Sequence, residues 1–306
     1  MRNKTIQTIK KHAKNNKNII LLAADLGFNV LEPFQEEFPN RFFNCGIAEQ
    51  NLMGVAAGLA KEDKQVFLYS INNFLTARCL EQVRNDCALN HLNVNILCVG
   101  GGLTYGTAAM SHHGTEDIAI MRALPNVIVA TPCDKLEAEC IIDSIIDINE
   151  TCYIRLERAN GVDIHNEINN FEFGKAIKIK DGNDIVIFAV GSIINEAIKA
   201  SEELSKQGLS IAIYSFPTVK PLDEELIKEC AQKFKLIVTL EEHNICGGFG
   251  SAVSEVLSQY KHDSVQLIIG IDDTYSYEIG SQEYLRKYYK IDSNSIQEKI
   301  IKKIEE

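Results

Sequence analysis

The sequence predicts an α/β protein of two domains, each a mostly parallel sheet covered by helices. Three observations carry that expectation. Short apolar runs alternate with helical spacing along nearly the whole chain, the pattern of successive βαβ units. The alternation lapses once, near 160–180, into the polar stretch ANGVDIHNEINNFEFGKAIKIK. The length, 306 residues, exceeds the ~250–300 at which a single core stops growing. Domains at 1–165 and 172–306 follow, joined by that linker.

In chain order, an N-terminal helix precedes the buried strand NIILLAAD (18–25), which ends in an Asp-Leu-Gly turn. A helix is expected over about 46–62, a strand at 65–70 and a continuous helical stretch at 72–89. VNILCVG (94–100) runs into the glycines Gly100 to Gly102. TEDIAIMRAL reads as a helix, 126–130 as a strand, DKLEAECIIDSIID as a helix and 152–156 as a strand. After the linker, strands are expected at 184–191, 210–216, 235–243 and 264–270, with helices between them and a polar helix at the end. Strands so regularly separated by helices need parallel pairing with both sheet faces covered.

Composition narrows the function classes. Hydrophobic residues at 45% and charged residues at 24% are those of a folded globular chain. The net charge of -11, from 31 basic and 42 acidic residues, disfavours nucleic acid, because phosphate-backbone affinity depends on Lys and Arg. The basic start has no apolar run behind it long enough for a secretory signal, and Ile19–Ala24 is too short to span a bilayer. Nine cysteines with no C-x-x-C pair read as reduced, mostly buried thiols. The expectation is a cytoplasmic protein that engages no membrane and has neither a disulfide framework nor a zinc site.

Motif scans for phosphate cradles fail in informative ways. G-x-G-x-x-G would require glycine at 105, where Tyr105 stands. GGFG (247–250) opens a helix, but its glycines are read as making the turn and allowing close packing. The richest segment is RFFNCGIAEQNLMGVAAGLA (41–60). A helix starting near Gly46 places Glu49 on one face with Leu52, Met53, Ala56 and Ala60. Every residue from Leu52 to Ala60 is apolar or Gly, so the helix should be buried all round, with a desolvated carboxylate at its entry. Such a group suits sharing a proton with a partner nitrogen or oxygen, or else simply complements the helix dipole. In MSHHGTEDIAIMRALPN (110–126), His112 and His113 follow a small-residue loop at the C-terminal end of a strand, where open α/β sheets build their sites. Histidine there can transfer protons near neutral pH, or hydrogen-bond the loop, with Glu116 and Asp117 as first-turn residues.

Five segments in this order, GIAEQNLMGVAAGLA, SHHGTEDIAIMRALPN, YIRLERAN, FPTVKPLD and EEHNICGGFGSAVSEVL, resemble transketolases. Over essentially its whole length the chain is similar to the separate C-terminal subunit of split transketolases. It is more distantly similar to 1-deoxyxylulose-5-phosphate synthase and to the beta subunit of decarboxylating 2-oxoacid dehydrogenases. The resemblance implies thiamine diphosphate and Mg2+ as cofactors. It also implies a pyrimidine-binding domain followed by a transketolase C-terminal domain, and transfer of a two-carbon ketol unit from a ketose to a carbonyl acceptor.

The same resemblance implies residue roles. Glu49 matches the glutamate that hydrogen-bonds the cofactor pyrimidine, and Phe74 lies in the segment that surrounds the ring with aromatics. Ile71 stands where the main stacking phenylalanine is expected. His112 matches a histidine facing the reacting carbonyl, and Arg158 an arginine that grips a substrate phosphate. Asp25, in the A-D-L turn, and Asn29, which replaces a serine near the phosphate, lie on the substrate side. Gly100 stands where sugar-phosphate enzymes carry a histidine, and Ala108 where they carry an aspartate. These departures point to a bulkier or less polar acceptor. The G-D-G motif that holds magnesium and diphosphate is absent, so an N-terminal partner subunit carrying it is expected, with two copies of each chain in the assembly. A non-catalytic scaffold subunit is the alternative of a different class.

Overall fold

The computed structural model describes residues 1–157 and 161–306. The helix α1 (Arg2–Ala13) precedes β1 (Ile19–Ala23), which is followed by α2 (Glu32–Glu37) and β2 (Phe42–Asn44). Then come α3 (Glu49–Lys61), β3 (Gln65–Ile71), the one-turn helices α4 (Asn72–Leu75) and α5 (Leu80–Gln82), and β4 (Val94–Val99). The pattern continues through α6 (Asp117–Arg122), β5 (Val127–Ala130), α7 (Lys135–Ile145) and β6 (Thr151–Leu156). The second half contains β7 (Ile177–Lys180), β8 (Ile185–Ala189), α8 (Ile194–Lys206), β9 (Ile211–Ser215) and β10 (Thr218–Lys220). It ends with α9 (Glu224–Lys233), β11 (Leu236–Asn244), α10 (Phe249–Leu257), β12 (Val265–Ile271), α11 (Gln282–Tyr288) and α12 (Ser293–Glu305).

Two sheets result. The first has seven strands in the order β10-β5-β6-β4-β3-β1-β2, parallel except for β10. The second has five, β12-β11-β8-β9-β7, parallel except for β7. Strands β1, β4, β6 and β8 are buried at every position, which is why they read as unbroken apolar runs rather than alternating ones. Among the described residues no helix is long and apolar enough to cross a membrane. No disulfide joins the described cysteines, and six of the nine are buried.

Four expectations change. The stretch 72–89 is not one helix. It breaks at Thr76 and resumes through α5, a π-helical turn at Val83–Cys87 and a 3₁₀ turn at Ala88–Asn90. The Thr76 hydroxyl bonds the Asn72 carbonyl at 2.9 Å, the kind of side-chain competition that disrupts helices. Helix α3 begins at Glu49 because Gly46 adopts φ 71°, outside the helical region. Within this chain α3 is not buried all round: Leu52, Met53, Ala56, Ala57 and Ala60 are covered, but Val55 is 39% exposed and nothing lies near Gly54 or Gly58. Two strands go unpredicted. β7 edges the second sheet from within the linker, and β10, in FPTVKPLD, crosses back to pair with β5 of the first sheet.

Candidate active site

The C-terminal ends of β3 and β4 lie side by side, with Ile71 opposite Val99. Chain leaving β3 forms α4, and chain leaving β4 forms the 100–113 loop. The two segments are therefore launched together at the sheet edge where α/β proteins place ligands. Helix α3 points its entry at the same edge. Glu49 is its first residue, favourably placed for the helix dipole, and is 2% exposed. Its Oε2 accepts from Arg78 Nη1 at 2.7 Å, and its Oε1 from the Ser70 hydroxyl on β3 at 3.4 Å. A buried carboxylate needs such a partner. The partner stands at the surface, the Arg78 side chain being 45% exposed.

The Arg78 guanidinium lies over the Phe74 ring, 4.2 Å from its centre. Phe74 meets His112 edge-on at 5.3 Å, and His112 meets Tyr105 edge-on at 5.7 Å. Glu49, Arg78, Phe74, His112 and Tyr105 thus form one continuous row, and half-buried Ile71 begins the same turn as Phe74. Burial, followed by the neighbouring His113, draws the His112 imidazole below its ordinary pKa, which keeps it neutral at pH 7. Its Nδ1 is 3.0 Å from the Ser111 hydroxyl.

The loop that carries His112 is held from three directions. Asn73 Nδ2 donates to the carbonyls of His113 at 2.8 Å and Ser111 at 3.2 Å. His113 is 1% exposed and packs its ring between Ser276 Oγ, at 2.7 Å, and the Gly106 carbonyl, at 3.2 Å. From the second sheet, Glu242 accepts the Leu103 amide at 2.6 Å. Ala109, three residues before His112, has φ 66° and ψ −174°, a region almost exclusive to glycine. Below the loop Asp117 accepts from Asn72 Nδ2 and Arg155 Nε, both at 2.7 Å, and from the Tyr153 hydroxyl. Burial pushes this carboxyl up, but Arg155 and His243 outweigh it and hold the pKa below its usual value. Of the paired readings, His113 and Asp117 are therefore structural, and His112 is the histidine left facing outward.

The predicted substrate-side residues sit apart from this row. Asp25 is exposed at φ 50°, its Oδ1 accepting from Asn44 Nδ2 at 2.8 Å and its amide donating to Asn44 Oδ1 at 3.1 Å. Asn29 is exposed, and its amide donates to Glu32 at 2.8 Å. Among the described residues no hydrogen bond or ion pair links either to Glu49 or His112. Arg158 lies outside the described residues. Gly100 is filled from within: a Cβ there would clash with the Tyr105 ring. GGFG behaves as read, because Glu241 already occupies that helix entry, accepting from Phe249 N at 2.6 Å and Gly250 N at 2.8 Å. Arg78, Asn73 and Tyr105 were missed by sequence reasoning. The only signal for them was their proximity in the chain to Phe74 and His112.

Two α/β domains, the first presenting a buried glutamate and an outward histidine at one sheet edge, are the frame in which the chain is compared with known families. The transketolase pyrimidine-binding domain family matches residues 1–162, and the transketolase C-terminal domain family matches 174–296. The chain belongs to the transketolase family. A Methanocaldococcus jannaschii protein named as a putative transketolase C-terminal section is 39% identical over 301 residues, covering 97% of this chain and 94% of that one. A subunit of the apulose-4-phosphate transketolase of Phocaeicola vulgatus is 36% identical over 292 residues, covering 94% and 92%. A solved split-gene transketolase, described as an inactive beta4 tetramer, superposes with a TM-score of 0.90 at 32% identity, covering 98% and 97%. Within the family this is a C-terminal subunit of the split, transketolase-like transferases. That membership implies dependence on thiamine diphosphate.

Proposed function

We propose that this chain supplies the pyrimidine-binding half of a thiamine diphosphate site and, with an N-terminal partner carrying G-D-G and magnesium, transfers a two-carbon ketol unit from a ketose to a carbonyl acceptor. The observation that carries the reading is Glu49: a carboxylate removed from water at a sheet edge, whose strongest partner is a half-exposed arginine. The residues present suit the cofactor's pyrimidine: the side chains of Ser70 and Arg78 meet the two Glu49 oxygens, Arg78 lies over the Phe74 ring, and Ile71 follows Ser70 in the chain. When bound, the cofactor supplies a stabilised carbanion equivalent at its thiazolium carbon. Glu49 holds a proton on the pyrimidine ring nitrogen. Phe74 and Ile71 form the apolar wall, with Ile71 in place of a stacking aromatic. His112, neutral near pH 7, moves protons to and from the hydroxyls of the substrate. Asp25, Asn29 and Arg158 serve the far end of the sugar.

The outward strip of α3, with Gly54, Val55 and Gly58 uncovered and Ile47 79% exposed beside its entry, is covered in the complete enzyme by another chain. An assembly with two copies of each subunit, its sites lying between unlike chains, accounts for both the strip and the half site. Reconstitution tests this directly. Mixed with a G-D-G partner, thiamine diphosphate and magnesium, the chain gives ketol transfer. Alone it gives none, and robust activity without a partner would overturn the half-site reading.

The reading of the acceptor draws support from Tyr105. Its ring fills the space above Gly100, and with Ala108 it leaves fewer hydrogen-bonding groups on the approach to His112 than a phosphosugar site requires. The reading is a bulkier or less polar carbonyl compound than a short phosphorylated aldose, with a carrier-linked sugar as one such compound. Hydroxyl-binding groups discriminate by up to ~10⁴–10⁵, so their loss redirects preference. In competition on the reconstituted pair, larger keto-sugars outcompete ribose 5-phosphate and glyceraldehyde 3-phosphate in kcat/KM. Ordinary efficiency with the two small phosphates would contradict this.

A further inference from the structure

At the junction of the two domains lies a group of side chains that ketol transfer leaves without a task. Cys133 follows β5, Glu137 stands on the first turn of α7, and His165 comes from the inter-domain segment. The thiol sulfur, a carboxylate oxygen and a ring nitrogen of these three lie within 4.8 Å of one another. Cys133 and Glu137 are fully buried, and the His165 side chain is 8% exposed. The Asp134 carboxylate fixes the histidine: its Oδ2 is 3.0 Å from His165 Nδ1 and accepts the His165 amide at 2.8 Å. Nδ1–H donates to Asp134, and Cys133 Sγ lies 4.0 Å from the same nitrogen; Nε2 faces Glu137 Oε1 at 3.7 Å, and neither of those two atoms makes a hydrogen bond. The other Glu137 oxygen is occupied by the Cys133 amide at 2.7 Å. The Ser215 hydroxyl, at the end of β9 in the second sheet, lies against both Cys133 and Glu137.

Three electron-pair donors therefore converge on one dry point. A proton can serve one pair of them; a metal ion serves all three. The set of one sulfur, one imidazole nitrogen and one carboxylate oxygen matches the preferences of zinc. A carboxylate on the far nitrogen of the histidine is the usual outer partner at such a centre. Ligand bonds of ~2.0–2.3 Å require the three donors to draw in by roughly an ångström or less. We infer that Cys133, Glu137 and His165 bind a zinc ion that ties the inter-domain segment to the first domain beside β9. Binding displaces the thiol proton of Cys133 to solvent and involves no redox step. This sets aside the expectation of no zinc site. The Cys-x-x-x-Glu spacing, with its histidine far downstream, matches no familiar zinc pattern.

The test uses the full untagged chain, free and with its partner subunit. Elemental analysis after dialysis should find about one zinc per chain, and His165→Gln should reduce it to background while circular dichroism stays native. Titrating metal-free protein with Co2+ should produce a thiolate-to-cobalt charge-transfer band that is absent in Cys133→Ser. Asp134→Asn should weaken zinc binding ~10–100-fold in a competition with a chromogenic chelator. If Cys133→Ser does not fold, the His165→Gln and wild-type titrations decide alone. A wild-type chain that holds no zinc and gives no cobalt band would show an imidazolium–carboxylate pair only, and would overturn the site.

Discussion

The entries of α3 and α10 each hold a buried glutamate, and the two are satisfied in opposite ways. At α10 the carboxylate of Glu241 comes from the preceding strand and takes both of its bonds from backbone amides, those of Phe249 and Gly250. It is fully buried, and a Cβ at Gly248 would collide with it. Burial raises its pKa, and both of its hydrogen-bond donors belong to the backbone. At α3 the helix's own first residue, Glu49, is as deeply buried but faces only side chains, and its main partner Arg78 is half in solvent. Backbone donors are fixed by the helix they begin, whereas an exposed arginine can withdraw. What separates a structural carboxylate from one that can receive a ligand is the mobility of what satisfies it, not its burial.

The contrast is broken or sharpened by substitution. Glu49→Gln in the reconstituted enzyme should lower ketol transfer by ~10²–10⁴-fold, the scale of a positioned acid–base group, with little change in thermal unfolding. Glu241→Gln should do the reverse. Activity of the folded enzyme is retained while stability falls by ~1–3 kcal/mol, the penalty for under-satisfied buried amides, read as a lower Tm. Equal loss of activity in both variants would erase the distinction.

The two adjacent histidines divide in the same way. A folded-state pKa below the ordinary imidazole value means His112 stays neutral to lower pH, so the acid limb of kcat/KM should fall below pH ~6.5. His112→Gln should remove that limb, and a limb at or above the ordinary value would contradict the assigned environment. The smallest effect belongs to Ala109. Glycine relieves ~1–3 kcal/mol of backbone strain there and adds ~0.5–1 kcal/mol of unfolded-chain entropy. Ala109→Gly should therefore leave stability equal or raise it by at most ~2.5 kcal/mol in a denaturant titration. A clear loss would mean that Ala109 is not strained.

The comparison also marks what could be read in advance. Buried parallel strands declare themselves as apolar runs, and Glu49 stands out because the stretch 52–60 behind it lacks polar residues. Both signals are local. Arg78 could not be found that way, since its role depends on the break at Thr76 that turns it toward α3. Nor could the return of β10 to the first sheet, or the grip of Glu242 on the Leu103 amide, because these join residues 85 or more positions apart. Tyr105 shows the same limit: the absence of a side chain at Gly100 is visible in the sequence, but the ring that fills the gap is not.

The most direct test of the central claim is the rate of C2-proton exchange of thiamine diphosphate in the reconstituted pair, followed by NMR in deuterated buffer. The wild-type complex and its Glu241→Gln variant should exchange at the same fast rate, while Glu49→Gln should slow it by ~10²–10⁴-fold. Exchange at the wild-type rate in the Glu49→Gln complex would show that this carboxylate does not hold the cofactor's proton.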